Sequence, residues 1–228
     1  MTYSPILFGL VHDDKSLQHA IKAIDEMKKR GIKKVGFEIG LSKRDITWLS
    51  ERTLEPIRAS GIDDFIKGMA FLNFPLSDDY FSKLREHAEK IGIQTVTIDS
   101  PKAHRVAGVL EFCNNLLGEH PHRKLFEDYI SITARDSFME KSIEKHKPDA
   151  VVCGLGHSFS IAKKFRIPLK NISFINEKGV FRPKHSLAEA KFLAEVYKQH
   201  ARKLRQIKVD RKKIGKIRFG KLQVQIAK

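Results

Sequence analysis

The chain reads as an α/β protein, a mostly parallel sheet with helices on both faces, and three observations carry that reading. Short apolar runs recur at Ile6-Leu7-Phe8, Val35-Gly36-Phe37, Thr95-Val96-Thr97-Ile98 and Ala150-Val151-Val152-Cys153. Stretches with apolar residues at helical spacing separate them. The runs also lack the alternation of strands with one wet face, as expected of parallel strands covered on both sides.

Taken in order, Pro5–Val11 is the first strand. After His12, Asp13-Asp14 opens a helix with Leu17, Ala20, Ile21, Ala23, Ile24 and Met27 on its apolar side, and Gly31 stops it. Lys33–Ile39 returns as the second strand, completing a βαβ unit. Ser42 caps a helix to about Ile57, residues 62–74 form a second, and Ser77-Asp78-Asp79 starts a third that ends at Ile91 before Gly92. Ile93–Asp99 is the third strand, followed from Pro101 by helix to about Leu117 and a loop at Gly118–His122. One long amphipathic helix spans Arg123–His146, and Lys147-Pro148-Asp149 turns the chain into the fourth strand, Ala150–Gly154. Ser158–Phe165 is a short helix, Asn171–Ile175 a fifth strand and Ser186–Ile207 a final helix. From Lys216 to Ile226, basic or polar residues alternate with apolar ones around Gly220, the pattern of an edge strand or small hairpin. The expected organisation is an α/β domain over 1–180, with a basic C-terminal helix and strand extension over 181–228 packed on it.

The totals bound the class. At 228 residues and 41% apolar composition the chain has length for a real core. Two cysteines, Cys113 and Cys153, make no disulfide framework, and Cys153 lies inside an apolar run as a small hydrophobe. No apolar run approaches the roughly 20 residues of a membrane helix, and the first residues do not read as a signal peptide. The expectation is a soluble protein of the reducing cytoplasm. The net charge of +16 is concentrated in one place: Lys198–Lys228 holds twelve Lys or Arg against a single acid, Asp210.

Chemistry gathers at the strand ends. Gly9-Leu10-Val11-His12 and Gly154-Leu155-Gly156-His157 repeat one G-x-x-H pattern, each straight after an apolar strand. Glu38 and Asp99 close the second and third runs. In a parallel sheet all four polar residues fall at the carboxyl edge, where open α/β sheets bind ligands. Gly9, Gly154 and Gly156 suit close backbone approach and unusual backbone angles there. His12, Glu38 and His157 are then candidate ligands for a divalent transition metal such as Mn, Co or Zn, or a metal-free pair that deprotonates water. Arg135-Asp136 lies mid-helix, either on a solvated face or with Arg135 reaching the rim to hold Glu38 or an anionic substrate.

These pieces together resemble the TraB/PrgY family and the wider grouping it shares with Tiki, GumN-like, EreA-like and ChaN-like proteins. The matching segments are Phe8–His12, Phe37-Glu38-Ile39, Ile98-Asp99-Ser100-Pro101, Arg135–Met139 and Val152–His157, spread over about residues 5–165. The sequence departs from the pattern at Asp136, where related sequences often have Asn, and at Ser100, where they have Arg. It also lacks the membrane helices with which many TraB proteins continue. The resemblance implies an EreA/ChaN-like α/β fold with both histidines and the glutamate in one pocket. It implies His12 and His157 as metal ligands or bases, Glu38 as ligand or general base, and Arg135 as a positioning cation, with Asp99 and the glycines around the bound group. Activities in the grouping range from metal-dependent peptide cleavage through lactone ester hydrolysis to haem or iron binding.

Three functions therefore compete: a metal-dependent, peptidase-like hydrolase acting on a peptide or small ester; a nucleic-acid-associated protein touching RNA or DNA through residues 198–228; and a non-catalytic haem or metal carrier. The sequence leaves the homo-oligomeric state open.

Overall fold

The computed structural model describes residues 3–11, 15–39, 79–101, 103–104, 107–108, 124, 127–181, 187–210, 214–219 and 222–227. His12 with Asp13-Asp14, the helices expected over 42–57 and 62–74, most of the stretch from 102 to 126, and Cys113 lie outside the described residues. The chain divides into two compact units: residues 1–40, 78–99 and 136–200 form the first, and 41–77, 100–135 and 201–228 the second.

The first unit holds a six-stranded mixed sheet. Its strands are β1 (Ile6–Leu10), β2 (Lys34–Phe37), β3 (Gln94–Thr97), β4 (Ala150–Gly154), β5 (Ser173–Asn176) and β6 (Gly179–Phe181), in the spatial order β3-β2-β4-β1-β5-β6. All neighbours are parallel except β5 and β6. The expected parallel α/β architecture is present, with β6 as an addition. Asn176 Oδ1 accepts the Lys178 amide at 2.8 Å and Gly179 takes φ +128°, so a tight turn folds β6 back beside β5.

The described helices are α1 (Leu17–Lys29), α2 (Asp79–Lys90), α3 (Arg135–His146), α4 (Leu155–Lys164) and α5 (Leu187–Asp210). Period-two alternation along the strands sorts them between the faces. Phe8, Leu10, Val35, Phe37 and Val152 pack with Ala20, Ile24 and Met27 of α1 and Phe81 and Leu84 of α2. Leu7, Val151, Cys153 and Phe174 turn the other way, onto Met139 and Ile143 of α3 and Phe159 and Ile161 of α4. Cys153 is fully buried, as its apolar neighbours imply.

Glycine stops act where the sequence placed them: Gly31 and Gly92 both take φ +77°, just past α1 and α2. Several boundaries differ from expectation: β5 starts at Ser173 and not Asn171, α5 runs on to Asp210, and three further differences concern α1, α3 and α4. Helix α1 starts at Leu17 with Ser16 as N-cap, and the Ser16 hydroxyl donates to the Val11 carbonyl (2.7 Å) instead of capping the helix. The long helix expected over Arg123–His146 contains a π-helix at Tyr129–Ala134, directly before α3. Helix α4 starts at Leu155, three residues early, because Gly154 already has the extended backbone of an N-cap.

Gly36 allows β2 to lie close under the chain that follows β3. A Cβ there would stand 2.7 Å from Ile98 Cγ2 and 3.2 Å from Pro148 Cγ. Ile98 is fully buried and branched at Cβ, so it yields poorly. Gly36→Ala is expected to destabilise by about 1–3 kcal/mol, more than the entropy it removes from the unfolded chain returns. A urea titration checks this, and an unchanged midpoint would show that Ile98 shifts freely.

In the second unit, β7 (Ile214–Phe219) and β8 (Leu222–Ala227) pair antiparallel from Ile214↔Ala227 to Phe219↔Leu222, as a separate two-stranded sheet. The C-terminal pattern is therefore a hairpin, not an edge strand of the large sheet.

Candidate active site

In the strand order the connections diverge between β2 and β4. From β2 the chain leaves outward toward β3, whereas from β4 it crosses the other way, past β1, to β5. Connections that diverge in this way open the carboxyl edge between the two strands, which is where doubly wound sheets hold ligands. Glu38 follows β2 and His157 follows β4, so both lie at this point of the carboxyl edge.

Glu38 stays tied to β4 beyond the end of β2. Its amide donates to the Val152 carbonyl at 3.1 Å, and its side chain is 3% exposed. The Gly154 amide donates to Glu38 Oε2. The carboxylate therefore sits at the N-terminus of α4, where unsatisfied N–H groups and the helix dipole favour negative charge. His157 is the third residue of α4, and its Nε2 lies 3.5 Å from Glu38 Oε1. On the other side of the ring, Nδ1 is 2.6 Å from Asp136 Oδ1. Asp136, in the first turn of α3, is itself buried. The result is a line Asp136–His157–Glu38 in which an imidazole bridges two buried carboxylates.

Of the residues expected at the rim, Glu38 and His157 come together, and Asp99 lies buried at the same edge, two residues past β3. His12 lies outside the described residues, although the register of β1 with β4 (Leu10↔Gly154) brings the two G-x-x-H segments to neighbouring strands. Arg135 is buried and begins α3 immediately after the π-helix; it falls in the second unit, Glu38 in the first. A π-turn in a helix is often found at functional sites.

All three glycines lie in regular elements. Gly9 is inside β1, and a Cβ on it would stand 2.8 Å from Ser158 Oγ and 3.1 Å from Phe174 Cδ1, so it lets α4 sit down on the strand. Gly154 has φ −58°, open to any residue, and contributes its N–H. Gly156 lies within α4, where, among the described residues, an added Cβ would meet only His200 Nδ1 at 3.7 Å.

Sequence reasoning missed Asp136 as a site residue. Its one signal was a charged pair, Arg135-Asp136, set beside Thr133 and Ser137 on a helix that otherwise reads as amphipathic. Glu140 and Glu144 continue from Asp136 along α3 at four-residue spacing, answered by Lys164 of α4 at 3.9 and 3.2 Å. Burial pushes the Glu140 carboxyl up; Lys164 opposes this, while Asp136 and Glu144 add to it. A carboxyl raised in the fold contributes stability at low pH that is lost as pH rises through its folded pKa. Glu140→Gln is accordingly expected to raise the melting temperature near neutral pH and to leave it nearly unchanged in acid, by calorimetry at both.

Among the described residues, no three His, Cys, Asp or Glu side chains converge as a metal-ligand set; Glu38 and His157 are two donors of the three the sequence pointed to. No described helix is long and apolar enough to cross a membrane. Comparison with family models, curated proteins and solved structures gave no match to this chain.

Proposed function

We propose that the carboxyl edge between β2 and β4 is the active site of a metal-dependent hydrolase acting on a peptide or small ester bond, on an EreA/ChaN-like variant of the α/β fold. The observation that supports this most is the Asp136–His157–Glu38 line at the sheet's carboxyl edge. In a neutral His157 the Nδ1 proton points to Asp136, and Nε2 presents its lone pair toward Glu38 Oε1. Two acceptors facing each other at 3.5 Å repel unless a proton or a cation lies between them. A carboxylate that fixes the far nitrogen of a ligand histidine is also the usual support of a metal-bound imidazole. Glu38 and His157 would hold the ion with His12 as third ligand, and the ion would supply water of lowered pKa and polarise the scissile carbonyl.

The chain's own residues have separate tasks in this reading. Asp136 holds the ring in one tautomer and orientation. His157 keeps Nε2 directed toward Glu38. Glu38, held by the Gly154 amide, accepts a proton from the attacking water through its second oxygen and returns it to the leaving group. The test is a screen of peptides and small esters with the whole protein in Mn²⁺, Co²⁺ or Zn²⁺. Turnover that falls in Glu38→Gln supports the reading; turnover equal in the two proteins contradicts it.

A further inference from the structure

A second site lies at the opposite, amino edge of the sheet, on the face that carries α1. On that face helix α1 packs against β5 and β6. A cavity of about 420 Å³ lies between α1 and the sheet edge. Its floor is Ile6, Phe8 and Ser173, which share one face by register, with Ala23 and Met27 of α1 on one wall and Val180 on the other. Ile6 is 41% and Val180 49% exposed, an unusual pair of aliphatic side chains to leave at a mouth.

The mouth is charged on one side. Lys22 and Glu26 of α1 and Arg30, just past its end, follow each other at four-residue spacing, and Glu26 is engaged by Lys29 at 2.7 Å. Lys22 and Arg30 thus face the groove with a positive excess, larger than the roughly half charge of opposite sign at the end of α1. An apolar trough of this volume is within the range of small-molecule sites, ~300–1,000 Å³. Its chemistry, apolar walls with cations on one rim, matches one class of ligand.

We propose that this groove binds a free single-chain amphiphile with an anionic head, such as a fatty carboxylate, its alkyl chain along Ile6, Phe8 and Val180 and its head between Lys22 and Arg30. The site is independent of the one proposed between β2 and β4. Calorimetric titration of the full chain with decanoate tests it, with octanoate and decanol as comparisons. One decanoate should bind per chain, octanoate roughly tenfold more weakly because two methylenes fewer are buried. Decanol should bind more weakly too, and the Lys22→Glu/Arg30→Glu pair should weaken decanoate by about tenfold or more, an effect reduced by salt. Val180→Trp fills the mouth from a half-exposed position, so it should block binding while circular dichroism stays unchanged. No saturable binding, equal affinity for decanol, or binding untouched by Val180→Trp would each overturn the proposal. So would adsorption to phosphatidylglycerol vesicles without binding of monomeric decanoate, which would assign the groove to a lipid surface.

Discussion

A His157→Asn variant is expected to lose hydrolytic turnover by about 10²–10⁴-fold while keeping its fold. The asparagine amide reproduces Nδ1 closely enough to donate to Asp136, so the buried carboxylate keeps a partner. What it removes is Nε2, the atom 3.5 Å from Glu38. His157→Ala makes the contrast: it also takes away the ring nitrogen that Asp136, 6% exposed, pairs with, and a buried charge deprived of its partner typically costs ~3–5 kcal/mol. Chemical denaturation beside initial rates separates the two effects. If His157→Asn retains full turnover, Nε2 has no part in the reaction.

Asp136→Asn should reduce turnover almost as strongly with little change in substrate KM. The asparagine can turn its amide nitrogen to the ring, donate to Nδ1 and move the imidazole proton to Nε2. The lone pair that faced Glu38 is then lost although every atom stays in place. In a triad where the same exchange strands the wrong tautomer, the loss is about 10⁴-fold; where the histidine is a metal ligand, losing its carboxylate support costs ~10–100-fold in metal affinity. Because Asp136 acts through His157, the pH profile of kcat is the discriminating readout. A displaced acid limb is expected, and an unchanged profile with lowered stability alone would make the Asp136–His157 contact structural.

The parts of this fold that could be read from the sequence are those set by local chemistry. Strand β4 was placed to the residue, because Pro148-Asp149 bounds its apolar run on one side and Gly154 on the other. Asp149 also shows why the turn is fixed: its Oδ2 accepts the Lys33 and Lys34 amides, both at 2.9 Å, and locks β4 to the start of β2. Gly31 and Gly92 are legible for the same reason, since each occupies a positive φ that other residues adopt poorly. The π-helix before Arg135 left no such mark, because its wider hydrogen-bond ring demands no particular residue. The start of α4 was misplaced because an extended glycine followed by Leu-Gly carries no cap signature. Asp136 was hidden by ambiguity: an acid in a helix's first turn already satisfies the dipole. Only its partner 21 residues onward distinguishes it from a solvated side chain.

The convergence of Glu38 with His157 was readable because two features agree. Glu38 closes one apolar run and His157 follows the end of another by three residues, and parallel strands bring such ends to one edge. Their neighbourhood was less predictable, since it depends on β4 inserting between β1 and β2 and not following β3 at the edge. That order alone makes Glu38 a neighbour of the α4 N-terminus.

The most direct test of the proposed site is Co²⁺ titration of the chelator-treated protein, followed by visible absorption, beside Glu38→Gln and His157→Asn. One Co²⁺ per wild-type chain is expected, with affinity at least about tenfold weaker in both variants while their circular dichroism is unchanged. Absence of Co²⁺, Mn²⁺ and Zn²⁺ binding in the folded wild type, or equal affinity in all three proteins, would contradict a metal held between Glu38 and His157.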